Sequence, residues 1–250
     1  MTAPVAAAPA VELLDVALAF DRPVLRGVSL AVGTGETVAV LGESGTGKST
    51  LLRLVLGLLA PDGGDVRVAG RSVPAMSPAD RLALRRGIGT VFQGAALFDS
   101  LTVFENVAFA LREHRVLDED DLATRVHEAL VLVDLDPGQV ASQLPAQLSG
   151  GMRKRVGIAR AVAPRPALLL YDEPMAGLDP LTSNTIVDLI ARLQRELRVT
   201  SLVVSHDVRA MLRVADRLAL LHDGRFAFVG DAEAMRASAE PYTREFLAAA

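Results

Sequence analysis

Gly42, Glu43, Ser44, Gly45, Thr46, Gly47, Lys48, Ser49 and Thr50 bring glycines, one ammonium and adjacent hydroxyls together at a spacing suited to gripping phosphate. Glycines let successive backbone N–H groups turn inward around phosphate oxygens, and a helix starting here adds the positive end of its dipole. Lys48 reaches the outer phosphates and Ser49 offers a hydroxyl to magnesium. A merely flexible glycine-rich loop has no need of a lysine. This chain has only two among its 26 basic side chains, Lys48 and Lys154. Among so many arginines, a lysine marks a place where a compact ammonium is wanted, since a planar guanidinium is not its equivalent.

A second group is Asp172 and Glu173, which follow the apolar run Ala167, Leu168, Leu169, Leu170 and Tyr171 and precede Pro174. A buried strand that delivers Asp172 to its carboxyl end suits a magnesium site. Glu173 beside it suits the residue that orients or deprotonates an attacking water. Without the phosphate loop, ordinary loop chemistry before a proline explains the pair equally well. The apolar run 201–204 delivers Ser205, His206 and Asp207 in the same manner, whereas His114, His127 and His222 read as surface or packing residues.

The elements that must position these groups are legible as a pattern. Short apolar runs at 11–20, 37–41, 89–92, 168–171 and 201–204 alternate with helical periodicity, which predicts an α/β domain with a largely parallel sheet. A helix is predicted from Gly47 toward 57–61, and Ser77, Pro78 and Asp80 form a cap signal for another reaching Arg86. Residues 103–162 carry hardly any strand signal and read as an inserted helical subdomain. The runs 218–221 and 226–229 flank an Asp223-Gly224 turn, the signature of a hairpin, and 231–247 reads as helical again. Residues 1–10 lack the basic and apolar regions of a signal peptide and read as a disordered tail.

Composition narrows the classes further. Half of the 250 residues are apolar, enough for one sizeable domain, and the formal charge of −4 argues against a general electrostatic grip on nucleic acid. The chain has no cysteine, hence no disulfide framework, which fits a reducing, cytoplasmic setting. No run reaches the roughly 18 to 20 apolar residues of a spanning helix. Any membrane role requires another chain to supply the spans.

Leu148, Ser149, Gly150, Gly151 and Met152 precede the acidic pair, and with them the sequence resembles the ABC transporter ATPases over about 11–229. The resemblance implies a P-loop NTPase, RecA-like α/β core with a mostly parallel sheet, an N-terminal antiparallel β region and a helical subdomain at about 94–162. The cassette would span 11–230, with a C-terminal helical extension at 231–250. It places Gly42 to Thr50 in Walker A, Asp172 in Walker B and Leu148 to Met152 in the signature. Glu173, His206, Gln93 and Lys48 become the catalytic group, Asp179 the D-loop aspartate, and Ser49, Gln93 and Asp172 the magnesium ligands beside ATP. Phe20 falls where the family stacks an aromatic on adenine, although a core phenylalanine would also fit. The family works as a head-to-tail dimer, with the signature of one copy closing on ATP held by the other.

Leu97, Phe98, Asn106, Val107 and the run Leu111, Arg112, Glu113, His114 are similar to the ATPase of Mla/MCE phospholipid transport systems, as is the tail 241–247. That similarity implies a permease, an MCE-domain lipid-binding protein and a STAS-like small subunit as partners, a place on the cytoplasmic face of the inner membrane, and a tail that reaches the neighbouring ATPase. An amphipathic helix end explains the 111–114 run without any of this. A small-solute importer or exporter ATPase and a soluble ABC protein remain the alternatives.

Overall fold

The computed structural model describes residues 8–114 and 117–249, so residues 1–7 of the expected tail lie outside it. In chain order the elements are β1 (Val11–Ala19), β2 (Pro23–Val32), β3 (Thr37–Leu41), α1 (Lys48–Val55), β4 (Gly63–Val68), β5 (Arg71–Ser72), α2 (Pro78–Arg86) and β6 (Ile88–Val91). Then follow α3 (Val103–Glu113), α4 (Glu119–Leu132), α5 (Pro137–Val140), a 3-10 turn at Pro145–Gln147, α6 (Gly150–Val162), β7 (Leu168–Asp172) and α7 (Pro180–Leu197). The chain ends with β8 (Thr200–Ser205), α8 (Val208–Val214), β9 (Arg217–His222), β10 (Arg225–Gly230), α9 (Ala232–Arg236) and α10 (Pro241–Ala248). These fall into two compact units, one holding the residues up to Leu82 together with those from Thr200 onward, the other Ala83–Val199.

The first unit contains an antiparallel sheet in the order β2-β1-β4-β5 and the run β10-β9-β3-β8 of a second, mixed sheet. β3 pairs parallel with both β8 and β9, and β10 returns antiparallel along β9. Every residue of β3 and of β8 is buried. Such strands read as continuous apolar runs because both faces are covered. Each fully buried valine or leucine contributes about 1.5–3 kcal/mol relative to exposure, so β3 is held rigidly where it hands the chain to the phosphate loop. α1 adds Leu51, Leu52, Leu54 and Val55 to the same core.

In this unit β2 and β4 emerge as strands that the sequence did not mark separately. β2 is interrupted at Gly27, whose φ of 77° lies in the left-handed region, and β1 carries bulges that spoil its alternation. The stretch read as one helical segment at 231–247 divides into α9 and α10. Pro241 opens α10, and Glu240 before it is extended at ψ 125°, as a residue preceding proline prefers.

In the second unit β6 and β7 pair in parallel, with Ile88 opposite Leu168 and Val91 opposite Tyr171. Helix α6 packs on β6 and also meets α3, α4 and α7. α3 begins in a reciprocal capping box, Thr102 accepting from the Glu105 N–H while the Glu105 carboxylate accepts from the Thr102 N–H. Those bonds hold the Glu105 carboxyl below its ordinary pKa. Asn106 is fully buried, yet its amide accepts from the Phe98 N–H and donates to the carbonyls of Phe98, Leu101 and Thr102. It is the polar pin that shapes the loop entering α3.

Candidate nucleotide site

In the first unit the phosphate loop joins the buried end of β3 to α1. Gly47 occupies the N-cap at φ 104°, in the left-handed region, and as a glycine it brings no capping side chain of its own. No acidic residue lies in the first turn. A helix that opens on glycine, with no carboxylate in its own first turn, presents backbone N–H groups and positive potential at its start, the arrangement an anion-binding terminus needs. Lys48 is 5% exposed, and its ammonium donates to the carbonyls of Gly42 at 2.7 Å and Glu43 at 2.8 Å, bending it back over the loop. The Thr46 hydroxyl donates to the Glu43 carbonyl at 2.9 Å. A Cβ on Gly42 would lie 2.5 Å from the Leu221 carbonyl oxygen, whereas one on Gly45 would meet nothing within 4 Å. The loop is thus wedged against β9 on one side and open on the other. There a cleft of about 270 Å³ is lined by Arg22, Val24, Ser44, Gly45, Thr46 and Asp223.

Phe20 follows β1 and is 59% exposed, which separates it from the buried core of its own sheet. His206 leaves the end of β8 and is exposed, while its neighbour Asp207 caps α8 by accepting from the Ala210 N–H. Ser49 lies in the first turn of α1, half-buried, and Thr50 is buried beneath it. Tyr242, in the tail, meets the phosphate loop of its own chain. Its ring stacks on His222 at 3.5 Å and its hydroxyl donates to Glu43 Oε1 at 3.2 Å. Burial, and then the Glu43 carboxylate, push its pKa up to about 12.

In the second unit Gln93 follows β6 by two residues, and Asp172 ends β7 with Glu173 directly after it. Glu173 has φ 46°, a left-handed conformation that costs a non-glycine residue of order 1 kcal/mol and concentrates at functional positions. Ser149 is the N-cap of α6 and accepts from the Met152 N–H at 3.2 Å, so Gly150 and Gly151 form that helix's first turn. A Cβ on Gly151 would come within 2.6 Å of Thr182 Cγ2, so a side chain there would have to push Thr182 on α7 aside. Leu148 is buried, and its carbonyl accepts from Arg153 at 2.6 Å. Asp179 caps α7, accepting from the Leu181 and Thr182 N–H groups and, at 2.5 Å, from the Thr182 hydroxyl. The hydroxyl is the largest cause of its lowered pKa.

Two basic side chains given no role from sequence turn out to hold the Gln93 loop. The Lys154 ammonium, 6% exposed, donates to the Gln93 carbonyl. Arg160 donates to the carbonyls of Ala95 and Ala96 at 2.7 Å each. Burial lowers the Lys154 pKa, with Glu173 and Asp172 acting in the opposite sense. The rarity of lysine was the available signal for Lys154; nothing marked Arg160 among so many arginines.

Comparison with known proteins follows the same residues. Residues 25–176 match the family described as ABC transporter. The chain is 41% identical over 227 residues to the intermembrane phospholipid transport system ATP-binding protein MlaF of Escherichia coli, covering 91% of this chain and 84% of that one. It is 47% identical over 206 residues to the methionine import ATP-binding protein MetN of Thermobifida fusca, covering 82% and 63%. Among solved structures, the ATP-binding cassette MJ0796, a dimer in a post-hydrolysis state bound to ADP and phosphate, superposes with TM-score 0.80 at 32% identity, covering 89% of this chain and 98% of that one. A phosphate loop on a buried strand, an acidic pair ending another and a glycine turn opening α6 are the parts that these relatives lead one to expect; the chain belongs to the ABC transporter family as an ATP-hydrolysing subunit.

Proposed function

We propose that this chain powers phospholipid transport between membranes by closing as a pair on ATP and reopening after hydrolysis. The similarity to MlaF across 91% of the chain carries the lipid assignment. The glycine-opened start of α1, with Lys48 folded over the loop, supports the nucleotide assignment. Backbone N–H groups from Gly45 to Thr50 would bind the phosphates, Lys48 would offset the charge of the outer ones, and Phe20 would cover the base. Glu173 holds the attacking water for in-line attack on the terminal phosphorus, the bond to the bridging oxygen breaks, and ADP and phosphate leave. His206 and Gln93 orient the same water and phosphate, while Asp179 at the start of α7 supports the closed pair.

Ser49, Gln93 and Asp172 provide one hydroxyl, one amide and one carboxylate. Among the described residues no group of three or more His, Cys, Asp or Glu side chains makes a dedicated metal cage. That donor set fits magnesium, which keeps waters and phosphate oxygens and needs few protein ligands. Bound there, the ion would neutralise charge on the transferring phosphoryl group. Because the terminal phosphate would be held by Lys48 of one copy and by Ser149, Gly150 and Gly151 of the other, it gives differential affinity for the closed state, and its loss releases closure.

No helix among the described residues is long and apolar enough to cross a membrane, so a permease must supply the spans. In the second unit a groove of about 340 Å³ is lined by Phe92, Phe98 and Phe109 with Arg85, Arg86 and Arg160. The three phenylalanines are 42–44% exposed, and this amphipathic groove is the proposed seat of a short permease helix on the cytoplasmic face of the inner membrane. An MCE-domain protein and a STAS-like subunit would complete the assembly. The 47% identity to MetN keeps a second reading, import of a small solute, in play. Purification of the tagged chain from membranes, with mass spectrometry of the accompanying protein and lipid, decides between them. A permease with bound phospholipid supports the first reading; a permease with a solute-binding protein and no lipid replaces it with the second.

A further inference from the structure

The residues of α6 that face the Gln93 loop are spaced by three. Lys154 donates to the Gln93 carbonyl, Gly157 lets the helix approach until a Cβ there would lie 3.1 Å from Ala95 Cβ, and Arg160 donates to the carbonyls of Ala95 and Ala96. Residues at that spacing share one helix face. The loop so gripped is strained, Ala95 and Ala96 having φ of 62° and 46°. A strained segment persists only where its surroundings over-determine it, and three contacts from one helix do that here. The same helix begins at Ser149, Gly150 and Gly151.

We propose that Lys154 is a positioning residue for ATP hydrolysis: its buried ammonium ties the main chain of Gln93 to the signature helix, so that loop and helix move as one body. Its position is a buried cationic tether, not a substrate contact, and it acts through Gln93. A methionine would fill much of the space but release the loop carbonyl, and a planar guanidinium is not the equivalent of a compact ammonium there. The proposal rests on the reading of Gln93 as a hydrolytic residue.

The test is steady-state ATPase of the full-length chain, in the membrane complex with which it purifies, for wild type, Lys154→Gln and Lys154→Met. Nucleotide binding and thermal midpoint are measured on the same preparations. Misplacement of a catalytic group by about 1 Å costs up to about a hundredfold, so kcat is expected to fall about ten- to a hundredfold in Lys154→Met, with KM for ATP changed less than about twofold. Lys154→Gln, which keeps a donor for the carbonyl but not the charge, should fall between. Wild-type kcat in either variant overturns the proposal, as does a kcat loss matched by an equal loss of folded, nucleotide-binding protein. Should Lys154→Met not fold, Lys154→Gln is read by the same two criteria. Glu173→Gln measured alongside separates the two ideas: full turnover there removes Glu173 from its role and leaves the Lys154 result to be read on Gln93.

Discussion

At the scale of single residues, the chemistry divides between groups that bind phosphate and groups that direct water. Glu173→Gln should retain nucleotide binding and lose turnover by about 10²-fold or more, since general-base assistance contributes about 10²–10⁴-fold. Binding of a fluorescent ATP analogue and phosphate release, measured together, check this, and full turnover would exclude Glu173 as the base. Tyr242 gives a pH prediction. Its folded pKa is raised to about 12 against about 10 in an unfolded chain, so the folded state favours the protonated phenol. The stability it contributes is complete below about pH 10 and is lost as pH rises toward 12. The other tyrosine, Tyr171, is also pushed up by complete burial. Tyrosinate absorbance of the folded protein should therefore stay near zero at pH 10, where free tyrosine is half ionised; about a quarter of the full two-tyrosine signal there would show that Tyr242 is not packed on His222 and Glu43.

At the scale of elements, the polar pins matter as much as apolar faces. Asn106 satisfies one backbone N–H and three carbonyls from a site with no solvent exposure. Removing it leaves buried groups unpaired, each at a cost of about 1–3 kcal/mol. Asn106→Ala should accordingly lower stability by about 3 kcal/mol, read as a fall in the midpoint of chemical denaturation at unchanged slope. A change below about 0.5 kcal/mol, the range of ordinary surface substitutions, would show that the loop before α3 is held by something else. The sequence marked Asn106 only through a family likeness, because a buried asparagine and a surface one look alike until the loop that wraps it is folded. β3 was legible residue for residue as an unbroken apolar run, and it is buried throughout. β2 and β4 were not, because bulges and left-handed glycines interrupt the alternation that would announce them.

At the scale of the whole molecule, the function depends on surfaces meant for other chains. Phe109→Glu, placing a charge in the phenylalanine-lined groove, should abolish recovery of a permease with the tagged chain while leaving ATP binding within about twofold, because it removes an apolar anchor and puts a carboxylate that must be desolvated where the permease helix would dock. Unchanged recovery from membranes would remove the groove as the docking site.

The order of the phosphate loop, the signature and the acidic pair was written in the sequence because each depends on residue type at short spacing: glycine for backbone freedom, lysine for a compact charge, a carboxylate after an apolar strand. Tertiary structure alone decided which of two dozen arginines would clamp a loop, that Lys154 would reach the Gln93 carbonyl and that Tyr242 would settle on Glu43. Those contacts join residues 61 to 199 positions apart. Local periodicity carries no record of such pairings; only the packing of strands and helices brings the partners within reach.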